Sequence, residues 1–175
     1  PLLANVYLHY ALDLWFERTF KKCCEGEAEM IRYADDFIGV FRFSCDAERF
    51  YKSLGERLGK FHLELAPDKT KIIKFNRFLI KDGKRFDFLG FEFFWQHDRK
   101  GKPHLEKRTS REKLRKSLKA FSEWIREKRN FCLRKIFSLL NAKLRGYYNY
   151  YGMIGNSKSL NEFFFQMKAM LHKWI

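Results

Sequence analysis

Between Met30 and Phe41 the chain reads MIRYADDFIGVF, two apolar-rich arms around a pair of acids. Aromatic and β-branched residues in both arms predict a β-hairpin over residues 29–42, with Asp at the tip to accept the positive φ of a tight turn. Helical spacing frames it. Leu3, Val6 or Tyr7, Tyr10 or Ala11 and Leu14 recur at helical period and predict a helix to about Phe20, opened by Pro1 in its first turn. Past the hairpin, Ser44 or Asp46 is placed to cap a helix whose Phe50, Leu54, Leu58 and Phe61 make one stripe. TKIIKF (70–75) predicts a short strand. IKDGKRFDFLGFEFFW (80–95) predicts a second hairpin, its turn at Asp82 and Gly83.

From about His97 the alternation stops. HDRKGKP is polar, contains Gly and Pro, and reads as a linker, after which every segment has helical period. This places a domain boundary between residues 1–98 and 99–175. Thr109 or Ser110 caps a helix that buries Leu114, Leu118, Phe121 and Ile125 and turns Arg111, Arg115, Lys116, Lys119 and Arg126 outward. A second helix is expected from about Phe131 through Leu140 and Leu144 to Tyr151. Ser159 and Glu162 form a capping box for a third, which would bury Leu160, Phe164, Met167 and Leu171. The expected class is α+β: antiparallel hairpins with packed helices, followed by an all-α three-helix bundle.

Composition narrows the biochemistry. With 46% apolar residues in 175, the chain can build a core without disulfides or metals. Its four cysteines lack the spacing of a zinc or redox site, and its five histidines never stand four apart. No apolar run is long enough to span a bilayer and no basic leader opens the chain, so a soluble, cytoplasmic protein without membrane contact is expected. Starting on Pro rather than Met, it reads as a part of a longer polypeptide. Charge divides unevenly. Residues 1–98 hold 16 Lys or Arg against 16 Asp or Glu, whereas residues 99–175 hold 20 against 5. A basic helical part with interspersed aromatics points to phosphate contacts, so nucleic acid is the expected partner.

Asp35 and Asp36 carry the candidate chemistry. Adjacent carboxylates repel, and at the rim of an apolar hairpin they are expected to be partly withdrawn from screening water. A divalent cation would relieve this, and magnesium, hard and oxygen-seeking, suits two carboxylates and phosphoryl transfer. A surface turn could also simply wear two acids. In LRGYYNYYG, Arg145 offers charge and the tyrosines offer stacking faces. Tyr147 and Tyr151, four apart, suit a core, while Lys143, Arg145 and Tyr148 suit contact with nucleic acid, with Lys113, Lys116 and Arg134 extending the basic face.

YADD at a hairpin tip resembles the metal-binding signature of reverse transcriptases. PLLANVYLHYALD (1–13) resembles the helix before that hairpin in group II intron reverse transcriptases, HLELAPDKTKIIKF (62–75) their next helix-to-strand motif, and FDFLGFEF (86–93) the one after. LNAKLRGYYNYYGMIGNSKSL (140–160) is similar to their maturase, or thumb, domain. The resemblance implies a partial palm over 1–98 and a thumb over 99–175. It also implies an RNA-directed DNA polymerase using two magnesium ions, an RNA template, a DNA primer and deoxynucleoside triphosphates, with intron RNA as a further partner in splicing.

Residue by residue, the resemblance makes Asp35 the metal ligand and Asp36 a second or supporting one. The family's remaining aspartate would lie on a strand upstream of Pro1, and neither Asp13 nor Asp87 replaces it. Tyr33 and Ala34 would sit beside the primer end and incoming nucleotide, although Tyr33 also suits a strand core. Lys69 would approach the nucleotide phosphates and could protonate pyrophosphate; a solvated turn lysine is the other reading. Leu89, Gly90 and Phe91 resemble a primer grip, where the small residue admits nucleic acid backbone, or a bulge. Other implied possibilities are an RNA-binding maturase without polymerase activity, or a reverse transcriptase of a retron, diversity-generating or CRISPR-associated lineage.

Overall fold

The computed structural model describes residues 2–175, which form two compact units divided between Lys74 and Phe75. In the first, helix α1 (Leu2–Leu8) continues into two π-helical turns, His9–Asp13 and Phe16–Phe20, and a short 3₁₀ turn, Lys21–Cys23. Strands β1 (Ala28–Tyr33) and β2 (Asp36–Phe41) then form an antiparallel hairpin, and helix α2 (Ser44–Gly59) packs on it. Rings dominate the core. Phe16, Phe20 and Phe50 are buried together with Leu12, Leu54 and Leu58, and Trp15, Met30, Phe37 and Phe41 close around them. Phe50 lies edge-on to Phe20 at 5.1 Å and tilted against Phe41 at 5.1 Å, the offset geometries that aromatic quadrupoles favour.

Apart from Ala11, the opening helix buries a different stripe from the one its spacing predicts. Leu3 is 83% exposed and Tyr10 60%, while Ala11, Leu12, Phe16 and Phe20 are inside. Each π turn takes in an extra residue, so the inward face advances by about one position and recurs at 12, 16 and 20. Pro1 lies outside the described residues. Asp46 does not cap α2, whose N-cap position is Phe43. Its fully buried carboxylate instead accepts the N–H groups of Glu25 (3.2 Å) and Gly26 (3.1 Å) and pairs with Arg49, closing the loop into β1. Residues 70–75 form no strand, because among the described residues nothing pairs with them.

The second unit pairs β3 (Arg85–Phe88), β4 (Phe91–His97) and β5 (Pro103–Thr109) in an antiparallel sheet of that order. Three expectations change here. The β3–β4 turn falls at Leu89 and Gly90, with φ of +50° and +80°, between the paired Phe88 and Phe91; two positive φ values in a two-residue loop are the hairpin pattern that matches strand twist. Gly90 is thus a turn glycine, while Asp82 ends a 3₁₀ turn closed by Gly83. The segment that reads as a linker is the β4–β5 turn, with His97 opposite Pro103 and the Asp98 carboxylate accepting the N–H groups of Lys100 and Lys102, both at 2.8 Å. β5 has no strand signature of its own, because it is mostly polar and sits at a sheet edge with Pro as its first residue. The boundary between the two compact units falls after Lys74.

Helices α3 (Arg111–Lys128), α4 (Leu133–Tyr151) and α5 (Ser157–Trp174) share one core. Leu114, Leu118, Phe121 and Ile125 are its α3 face, as their spacing predicts, and Ser110 accepts the Lys113 N–H as cap. α5 begins earlier and turns further than expected. Asn156 precedes it, Ser159 lies within it, and Phe163 and Met167 are buried while Phe164 is exposed. Asn156 is committed elsewhere: its Oδ1 accepts the Thr109 N–H, and its Nδ2 donates to Thr109 Oγ1 and the Tyr151 carbonyl, all at 2.8 Å.

Candidate active site

In the hairpin, Tyr33 pairs with Asp36 and leaves a loop of only Ala34 and Asp35. Residues directly opposite one another share a sheet face, and faces alternate along each strand. Ala28, Met30, Phe37 and Phe41 therefore face the aromatic core, while Ile31, Ile38, Tyr33 and Asp36 share the open face. Tyr33 is 67% exposed, which rules out the core position that the sequence left open. Both acids are exposed as well. This corrects the expectation that they are partly withdrawn from water: among the described residues of this unit no layer covers this face of the hairpin, so solvent reaches the turn. Among the described residues neither acid takes part in an ion pair.

The positive φ at the tip belongs to Ala34 (+55°), not to an aspartate. A side chain in that region costs roughly 1–2 kcal/mol, so something must hold it there. The two-residue hairpin loop calls for it, and the neighbouring guanidinium braces it. Arg32 Nη1 donates to the Ala34 carbonyl at 2.7 Å and to Asn5 Oδ1 at 3.1 Å, while its Nε and Nη2 grip Asp13 at 2.7 and 2.6 Å. The hydrogen bonds from Arg32 hold the Asp13 carboxyl below the usual carboxylate range, outweighing its partial burial. Asp13 is consequently spent on Arg32 and does not join the acidic pair.

Asp35 and Asp36 offer oxygen ligands only, exposed and uncommitted, which fits part of the shell of a hard divalent cation. Among the described residues no group of three or more His, Cys, Asp or Glu side chains is arranged to hold a metal ion, and the two carboxylates stand on the turn without a third. A family model for reverse transcriptase (RNA-dependent DNA polymerase) matches residues 1–93, over half of the chain and including the whole hairpin. The chain belongs to the reverse transcriptase family. No curated protein and no solved structure matches it. Reverse transcriptases use a nucleic acid template and nucleotide substrates, and the matched region includes the hairpin that carries the two exposed acids and the exposed ring of Tyr33.

The other sequence-predicted residues fall in several settings. Lys69, in the first unit, is exposed on a turn with its N–H on the Ala66 carbonyl, and among the described residues no hydrogen bond or ion pair joins it to the acidic turn. Leu89, Gly90 and Phe91 belong to the second unit. There Phe91 is buried against Tyr150 and Tyr151, and Tyr150 Oη donates to the Leu89 carbonyl at 2.9 Å. A Cβ added at Gly90 would meet Tyr151 Oη at 3.3 Å, so tyrosine packing already fills the approach there.

Lys113, Lys116, Arg134, Lys143 and Arg145 of the reverse transcriptase are all exposed. Two of them are engaged: Lys116 pairs with Glu112 at 2.5 Å, and Lys143 lies over the Trp124 ring at 5.7 Å. Tyr148 is half-buried, and burial raises its hydroxyl pKa, as it does for Tyr147, pushed up to about 12. The most exposed tyrosine of this cluster is Tyr150, at 54%.

Sequence reasoning passed over three features. One is Tyr150. Another is a cavity of about 520 Å³ lined by Arg108, Arg111, Arg115, Ser159 and Gln166, assembled from β5, α3 and α5. The third is Arg32, and for it a signal existed: strand alternation turns position 32 inward beside Phe37, where a charge demands a partner.

Proposed function

We propose that this chain is the part of a group II intron RNA-directed DNA polymerase that carries its acidic hairpin and basic thumb. The observation that carries the proposal is the exposed, uncommitted pair Asp35 and Asp36, held on a hairpin whose opposite face is locked into an aromatic core. The reaction is attack of a primer 3′ hydroxyl on the nucleotide α-phosphate with loss of pyrophosphate. Asp35 and Asp36 would hold magnesium together with ligands from outside this segment; when bound, the metal neutralises charge that develops on the phosphoryl oxygens. Tyr33, on the same open face as Asp36, offers a flat surface for a sugar or base. The rigid core limits the drift of these groups, which matters because misplacement by an ångström can cost two orders of magnitude in rate.

A role in binding and splicing intron RNA is supported by charge. Residues 75–175 contain 24 Lys or Arg against 9 Asp or Glu, and residues 1–74 contain 12 of each. All of the +15 excess therefore sits in the second unit. The test is Asp35→Ala in the full-length polypeptide. It should abolish primer extension and leave RNA affinity within about twofold, because removing a carboxylate takes no cation from the phosphate-binding surface. Retained extension would reject the assignment.

A further inference from the structure

Arg32 is an anomaly on its strand. It sits on the core-facing side, its side chain is 12% exposed, and it carries a charge that never titrates near neutrality. The four hydrogen bonds it donates are spread over three elements. Two grip Asp13 at the end of the first π turn, and a third nitrogen reaches both Asn5 of α1 and the carbonyl of Ala34. The π turn that delivers Asp13 is itself secured, since Arg57 of α2 donates Nε to the Ala11 carbonyl at 2.9 Å and Nη2 to the Tyr10 carbonyl at 3.3 Å. A continuous hydrogen-bonded chain thus runs from α2 through the π turn to Asp13, Arg32 and the peptide beside Asp35. At its end stands Ala34, in a left-handed conformation that its own side chain disfavours.

We infer that Arg32 and Asp13 are positioning residues that hold the Ala34–Asp35 turn in the shape its two acids need, an inference that rests on the polymerase assignment above. Neither touches substrate; both act through the turn. Freed from Arg32, Ala34 can relax out of positive φ, and the carboxylates of Asp35 and Asp36 swing with the peptide plane. Lysine cannot substitute fully, because a single ammonium cannot span a bidentate carboxylate and a turn carbonyl in one plane.

The test compares Arg32→Lys, Asp13→Asn and Asp35→Ala in the full-length polypeptide, by single-nucleotide extension kinetics and by hydrogen exchange. Arg32→Lys should lower kcat about 10- to 100-fold with little change in the primer–template KM, and Asp13→Asn should lower it less. Exchange should accelerate in the peptide covering residues 30–38 while α2 stays protected. Arg32→Lys at the parental rate with unchanged exchange in the turn overturns the inference. So does a rate loss accompanied by uniform deprotection of the whole first unit, which marks a purely structural role. If Asp35→Ala is inactive and Arg32→Lys is not impaired, only the positioning role falls. If Asp35→Ala still extends primers, the polymerase assignment falls, and exchange in the turn alone then decides whether Arg32 shapes it.

Discussion

Asn156 is the most exacting place to test the packing of the second unit. It is fully buried, and three hydrogen bonds of 2.8 Å tie the residue before α5 to the end of β5 and the end of α4. Asn156→Ala removes all three and leaves the buried Thr109 N–H without its partner, while the Tyr151 carbonyl keeps the Met153 N–H at 2.8 Å. A buried group left unpaired costs about 1–3 kcal/mol and each of the other two lost bonds about 0.5–1.5 kcal/mol, so the variant should lose roughly 2–6 kcal/mol. For a unit of this size that is a fall in Tm of at least about 10 °C. Asn156→Asp probes the same point electrically. It keeps the acceptor for Thr109 but turns a second oxygen toward the Tyr151 carbonyl, in a site that penalises charge. The folded pKa of the new carboxyl should rise above its unfolded value of about 3.9. Its penalty is then absent below about pH 4 and grows as the pH rises toward the folded value. Urea unfolding, followed by hydrogen exchange in α3 and α5 peptides, measures both effects. An Ala variant within about 0.5 kcal/mol of the parent, the range of an ordinary surface change, would refute the reasoning. So would an Asp variant whose deficit is independent of pH.

Two further expectations concern charge. Arg32 holds Asp13 below its usual range; at Asp46 burial pushes upward, but the Glu25 N–H, Arg49 and the Gly26 N–H outweigh it. Both folded pKa values are depressed, so the stability these carboxylates add is complete above about pH 4 and is lost as the pH falls through the folded values. Acid titration of the first unit's unfolding should show this loss, and Asp46→Asn should flatten it. RNA binding should weaken steeply with salt, and replacing Arg134 and Arg145 with Gln should lower the slope of log K against log salt by about 0.7–0.9 for each phosphate that is no longer neutralised. An unchanged slope would remove these two side chains from the RNA-binding surface.

What the sequence by itself determined is what local spacing encodes. The YADD hairpin forms where period-two alternation and β-branched arms put it, and α3 buries the four residues its heptad-like stripe names. The concentration of positive charge in the later part of the chain is likewise a property of composition alone. Tertiary structure decided whatever depends on a partner far along the chain. β5 is a strand only because β4 lies beside it, and residues 70–75 are not one because among the described residues nothing pairs with them. The second hairpin turns at Leu89 and Gly90 rather than at Gly83, because β3 begins only at Arg85 and the strands that pair are those joined at Phe88 and Phe91. Asp46, a plausible cap by position, answers instead to two N–H groups about twenty residues earlier, and Asn156 to a threonine 47 residues before it. The acidic pair divides along the same line. Its presence is written in four letters, but its exposure, and the guanidinium that holds the turn beneath it, exist only once Asp13 is carried across to Arg32 by folding, because a buried charge takes whichever partner packing brings to it.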